Sequence, residues 1–175
     1  MTEPGPALAV RDGQVELAFA FGDLVAYHGR GSIGGLALGF KALERGLPLL
    51  AHGAVPSRRD ITVETAFDGP GSRDAFEMVT RAVTGGRYAL VPGIAPSGAP
   101  EAPQGRFVFR LAHEATAVLL VLRAGLVGDD FTALVRRGAA TPAEEQLLVD
   151  MKEDLATRLL ALPPDRVYHA TVEAG

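Results

Sequence analysis

The sequence predicts an α+β fold: one domain with a mixed β-sheet of about five strands packed against helices. Three observations carry this. The 175-residue length suits one domain. Apolar residues recur at helical spacing in several stretches and in alternating or β-branched runs in others. The expected element order, α-α-β-α-β-β-β-α-α-β, contains three consecutive strands and so departs from the strict βα alternation of a doubly wound sheet.

Residues 1–13 are rich in proline and glycine and predict a flexible lead-in to a domain spanning 14–175. Leu17, Phe21, Leu24, Val25 and His28 recur at helical spacing, which predicts a helix over about 14–28, ended by Gly29. Leu36, Leu38, Phe40 and Leu43 predict a second helix over 35–45, stopped by Gly46 and Pro48. The stretch after it, to Asp60, reads as irregular. Ile61–Phe67 is β-branched and predicts a strand. Ser72 is the expected N-cap of a helix carrying Ala75, Phe76, Val79 and Val83, ended by Gly85-Gly86. Arg87–Val91 reads as a strand, and 92–105, with its prolines and glycines, as a surface loop.

In Phe107, Phe109 and Leu111 the apolar positions alternate with Val108 and Arg110, the period of a strand buried on one face. ATAVLLVLR follows as a central strand after a turn near Glu114. Residues 126–138 predict a short helix. Thr141-Pro142-Ala143-Glu144 is a capping box with proline at the first helical position, opening a helix that runs to about Leu162. Arg166–Val172 predicts the last strand.

Composition removes several function classes. A net charge of −4 and a pI near 5.6 argue against nucleic acid and acidic membranes as partners. No apolar run approaches the roughly 18 residues of a bilayer span, and the N-terminus lacks the pattern of a secretory signal, so a cytoplasmic protein is expected. Cysteine is absent, which excludes disulfides, thiolate nucleophiles and cysteine-ligated metal.

The chemistry concentrates in HGRGSIGG, residues 28–35. Gly29, Gly31 and Gly34 have the G-x-G-x-x-G spacing of a dinucleotide fingerprint, and Arg58-Arg59 could meet a 2′-phosphate, so a nicotinamide-dependent oxidoreductase is one reading. The fingerprint requires a strand before it, whereas residues 15–28 have helical spacing. The other histidines, His52, His113 and His169, have no metal-ligand spacing, and Glu144-Glu145 and Glu153-Asp154 fit a solvated helix face.

YHGRGSIGGLALGFKALE is also similar to the opening motif of the formylmethanofuran dehydrogenase E-subunit family, a His-Gly-His-x-Cys-Pro-Gly-Leu-x-Leu-Gly pattern. Further matches follow in order. They are Val63-Glu64-Thr65 with Asp74-Ala75, Thr84-Gly85-Gly86 through Leu90, Gly105-Arg106 before FVFRL, and the closing stretch from TPAEEQLLVDMKEDL to the final strand. The resemblance covers about 14–173. It implies an α+β fold with a mixed sheet, frequently a dimer, and a metal, typically zinc, on histidine and cysteine ligands. Of that set only His28 and Asp74 remain here. Arg30 replaces the second histidine and puts a fixed positive charge where a divalent ion would sit.

The expected site is therefore a pocket for a small anionic or cofactor-like ligand at the bend, bound by Gly29, Arg30, Gly31, Ser32, Asp74 and Arg106. Arg30 offers a two-pronged donor and the glycines offer accessible N–H groups. His28, whose side-chain type exchanges protons near neutrality, is the catalytic candidate. His28 and Asp74 are the candidate metal ligands, and the residues identify no cofactor. A homodimer or a place in a larger complex is expected. The alternatives are an accessory or assembly subunit with a vestigial pocket, and the nicotinamide-dependent enzyme.

Overall fold

The computed structural model describes residues 5–174. It opens with an antiparallel hairpin of β1 (Ala7–Asp12) and β2 (Val15–Ala20), turned at Gly13. α1 (Phe21–His28) and α2 (Ile33–Leu50) follow, then β3 (Thr62–Phe67), α3 (Pro70–Thr80) and β4 (Tyr88–Leu90). The next strands are β5 (Glu101–Ala102), β6 (Gly105–His113) and β7 (Thr116–Leu122). The chain ends in α4 (Asp129–Arg137), α5 (Pro142–Ala161), α6 (Pro164–Val167) and β8 (Tyr168–Ala174).

The main sheet has the order β4-β3-β6-β7-β8, with β5 paired to the start of β6 across from β3. β3 and β4 run parallel with α3 as their connection, and the other pairs are antiparallel. This is an α+β domain on a mixed sheet of six strands, with the hairpin beside it. Phe107, Phe109 and Leu111 of β6 are buried beneath Leu36, Phe40 and Leu43 of α2 and Phe76 of α3, as expected. Val108 is buried too, with Ala66 and Ala99, so burial on one face alone does not hold at that position. The Tyr168 hydroxyl donates to the Leu38 carbonyl at 2.9 Å, tying β8 to α2. No helix among the described residues is long and apolar enough to cross a membrane.

The structure corrects several boundaries. Residues 7–12, part of the expected lead-in, form β1, where Leu8 and Val10 enter the core; residues 1–4 lie outside the described residues. The helix expected over 14–28 is β2 followed by α1. Leu17 and Phe19 alternate along β2 opposite Val10 and Leu8, and the apparent helical spacing runs across the junction at Phe21. α2 continues through both expected stops. Gly46 is required because a β-carbon there would lie 2.6 Å from Leu111 Cδ1. Pro48 sits in the last turn, and its carbonyl still accepts the Gly53 N–H at 2.9 Å.

Ser72 is not the N-cap of α3. Gly69 is, with Pro70 at the first helical position, and the buried Ser72 hydroxyl donates back to the Gly69 carbonyl at 3.0 Å. α3 also ends early, at Thr80, where Arg81 turns left-handed at φ 55°. The Glu77 carboxylate accepts the Val83 and Thr84 N–H groups and the Thr84 hydroxyl. Arg87 donates to the carbonyls of Ile61, Thr80 and Arg81, and Arg58 to that of Val79. Side chains distant in sequence thus finish the helix. The 92–105 loop contains β5, and a short α6 precedes the final strand. Thr141 is the N-cap where the sequence places it, its Oγ1 accepting the Glu144 N–H. The expected box is only half formed: the Glu144 carboxylate accepts the Ala140 N–H in place of that of Thr141.

Candidate functional site

The bend begins where α1 ends. Gly29 takes φ 87°, which its missing Cβ permits, and its N–H donates to the Val25 carbonyl at 2.7 Å. Ser32 then occupies the N-cap position of α2. The glycines that follow serve packing. A β-carbon on Gly35 would lie 3.2 Å from Gly71 Cα, and one on Gly39 would lie 2.7 Å from Ala75 Cβ. Gly35 and Gly39 are one turn apart and let α2 cross α3 at backbone contact. Gly34 lies under Leu155 of α5, 3.1 Å from an added Cβ. Residue 28 closes a helix and not a strand, so the strand–turn–helix geometry of a dinucleotide fingerprint is not formed here.

The polar residues expected to converge go to three separate places. His28 Nδ1 donates to Asp74 Oδ2 at 2.6 Å, joining the end of α1 to α3. Arg73 stands 3.6 Å from the other Asp74 oxygen. Arg30 faces outward and binds Glu153 of α5 with both prongs, Nε to Oε1 at 3.0 Å and Nη2 to Oε2 at 2.7 Å. Arg106 donates to the Ala99 carbonyl at 2.8 Å and lies 3.6 Å from Glu101, holding the 92–105 loop. Arg30, His28, Asp74 and Arg106 line none of the principal cavities among the described residues.

Zinc, implied by the family resemblance, does not fit these residues. His28 and Asp74 are bonded to each other, a guanidinium flanks the carboxylate, and no group of three histidine, aspartate or glutamate side chains among the described residues could hold a metal ion. Near this pair, burial first and then the charge of Asp68 push the Tyr88 phenol up to about 12; Asp74 adds to the rise and Arg73 opposes it.

The hollow at the bend lies on its other side. A cavity of about 290 Å³ is walled by Ser32, Gly34 and Gly35 at the start of α2, and by Gly69, Pro70 and Gly71 at the start of α3. Leu38, Phe67 and Phe107 supply an apolar floor. Phe131, Thr132 and Val135 of α4 cover one side, Leu148, Lys152 and Leu155 of α5 the other, and Gln104 reaches in from the turn before β6. Of the expected ligand-binding residues only Ser32 lines it. The lining contains no carboxylate side chain. Lys152 Nζ donates to the Gly31 carbonyl at 3.1 Å, which places the ammonium at the rim and ties α5 to the bend.

The chemistry follows from position. β3 leads into α3 at this point, so the cavity sits at the carboxyl end of a strand in the parallel pair, where helix N-termini collect ligands in α/β folds. The first-turn N–H groups of a helix have no intrahelical acceptor and carry a partial positive charge. Two such turns meet here beside a lysine and above an apolar floor. The α4 and α5 residues escaped sequence reasoning because they are far from the bend along the chain. The available signal was the apolar side of 129–137, where Phe131, Leu134 and Val135 need a surface to cover them.

No protein-family model matches this chain, and no curated protein matches it.

Proposed function

We propose that the protein binds a small organic anion with an apolar body, its acidic group directed at the first turns of α2 and α3 and at Lys152. The observation that supports this most is the lining itself: an apolar floor, two helix N-termini, one ammonium and no carboxylate. Each helix N-terminus contributes about 0.3–1 kcal/mol toward an anion, and up to ~2 kcal/mol where water is partly excluded. An aromatic or branched side group on the Leu38–Phe67–Phe107 floor adds the hydrophobic share. The order of motifs along 14–173 supports treating the chain as a divergent, cysteine-free relative of the formylmethanofuran dehydrogenase E-subunit family.

Calorimetric titration with a panel of aromatic and branched aliphatic carboxylates, each beside its primary amide, tests the proposal. Acids that fit saturate the protein and the amides do not. Lys152→Ala weakens binding of the best acid about fivefold or more, and Val135→Trp, which fills the cavity, abolishes it. Equal binding of acids and amides, or no binding by any acid, overturns the proposal.

An accessory-subunit reading is favoured by one different observation. Leu147 and Val149, in the first half of α5, are about half exposed, at 46% and 50%. Stable co-purification of a second polypeptide that Leu147→Lys releases would support it.

A further inference from the structure

β8 ends the main sheet, and its outer edge carries neither proline, lysine nor a bulge. Among the described residues it pairs with β7 alone, in unbroken register from Leu122–Tyr168 to Thr116–Ala174. Natural edge strands are blunted by proline, lysine, a bulge or a covering segment. Tyr168–Ala174, YHATVEA, contains no proline and no lysine, and its pairing shows no bulge.

The ladder fixes which backbone groups face outward. The Arg123 N–H donates to the Val167 carbonyl at 2.9 Å, in register with the Leu122–Tyr168 pair. Antiparallel partners alternate between hydrogen-bonded and non-hydrogen-bonded pairs. Val167, His169, Thr171 and Glu173 therefore turn their N–H and C=O groups toward β7. Tyr168, Ala170, Val172 and Ala174 turn theirs outward, unused.

We propose that a second copy of this chain adds to this edge, β8 antiparallel to β8, with the two-fold axis at Thr171. A symmetric pair must set outward-facing residues opposite one another, which centring on Ala170, Thr171 or Val172 achieves. Charge selects among the three. With Thr171 at the axis, Glu173 stands opposite the partner's His169, and the symmetry makes that contact twice. Centred on Ala170, His169 meets Thr171; centred on Val172, Glu173 meets Thr171; neither pairs the acid with the imidazole. The Thr171 register also sets Ala170 beside the partner's Val172, covering a valine that is 51% exposed.

On the inner side Glu173 Oε2 accepts from Arg110 Nε at 2.9 Å across β7, and Arg110 is in turn bonded to Glu64 at 3.1 Å. The imidazole approaches the same carboxylate from the outer side. Across the axis Thr171 faces its own copy in a non-hydrogen-bonded pair, where Cα atoms approach to about 4.5 Å. The sheet then runs through both copies, and the ligand cavity, lined by no β8 residue, is left outside the interface.

The absence of cysteine makes the test direct. Thr171→Cys puts one thiol per chain at the axis, within the usual Cα range of a disulfide. Under mild oxidation at low micromolar concentration the full-length variant is expected to cross-link nearly completely. Glu145→Cys, exposed on α5, is expected to cross-link at least tenfold more slowly. By sedimentation equilibrium the wild type and Thr171→Ser are dimers. Thr171→Lys, which sets two ammonium groups face to face, raises the dissociation constant at least tenfold with an unchanged circular dichroism spectrum. His169→Glu weakens the dimer, and His169→Glu with Glu173→His restores it. A monomeric wild type, a dimer indifferent to Thr171→Lys, or a Thr171→Cys variant that cross-links no faster than Glu145→Cys would overturn the proposal.

Discussion

A β-carbon on Gly71 would stand 2.5 Å from the carbonyl oxygen of Ser32. The first turns of α2 and α3 thus touch backbone to backbone, and this contact holds two helix N-termini at one cavity. Gly71→Ala forces them apart. Over-packing of this kind costs about 1–3 kcal/mol, so urea denaturation is expected to show a loss of about 2 kcal/mol or more. Gly31→Ala meets nothing within 4 Å and has no left-handed φ; its effect stays within about 0.5 kcal/mol. A reversed order would mean that the bend, and not the helix crossing, dictates these glycines.

Arg30 and Lys152 separate the expected site from the observed one. Arg30 is exposed and engaged with Glu153. Arg30→Ala is expected to cost at most about 1 kcal/mol, as exposed ion pairs do, and to leave carboxylate binding unchanged. Lys152→Ala weakens that binding. Isothermal titration of both variants with one acid decides between the two faces of the bend.

Glu77 sets an acid limit on stability. Its side chain is 6% exposed. Burial alone would raise its pKa, but the Thr84 hydroxyl and N–H, the charge of Arg81 and the Val83 N–H hold it below the ordinary 4.5. A carboxylate depressed in the folded state contributes stability that is present above the unfolded pKa and lost as pH falls through the folded one. Stability is therefore expected to fall below about pH 4.5, and Glu77→Gln flattens that slope while costing about 2 kcal/mol at pH 7. Urea midpoints measured from about pH 7 to about pH 3 check both.

The alkaline side is set by two tyrosines. Tyr88 is pushed up to about 12, and burial raises Tyr168 well above 10. A raised folded pKa means the unfolded chain releases its proton first, so this stability is complete below about pH 10 and declines above it. Ultraviolet titration is expected to show late, unfolding-linked ionisation, reduced in amplitude by Tyr168→Phe. That variant also costs about 1 kcal/mol by removing the Tyr168–Leu38 hydrogen bond.

The elements legible in the sequence are those with their own local signals. Thr141-Pro142 and Glu144 announce α5 by capping chemistry, and the alternation of Phe107, Phe109 and Leu111 announces β6. The differences arise where packing overrides local preference. Gly46 reads as a helix stop but is demanded by Leu111, and Ser72 reads as a cap but is a small residue wedged between helices. The bend is legible, and its hollow only in part. His28, Arg30 and Asp74 find partners in Asp74, Glu153 and His28, relationships set by tertiary structure that spacing along a chain does not encode.

The distance along the chain between the bend and α5 has a consequence for synthesis. Gly31 and its anchor Lys152 are 121 positions apart. As the chain leaves the ribosome, the glycine bend emerges long before the helix that will flank it. A nascent polypeptide released short of α5 would carry the floor and both helix starts but neither Lys152 nor the α5 side of the cavity, so retention of a small acid would mark molecules in which α5 had been made and packed.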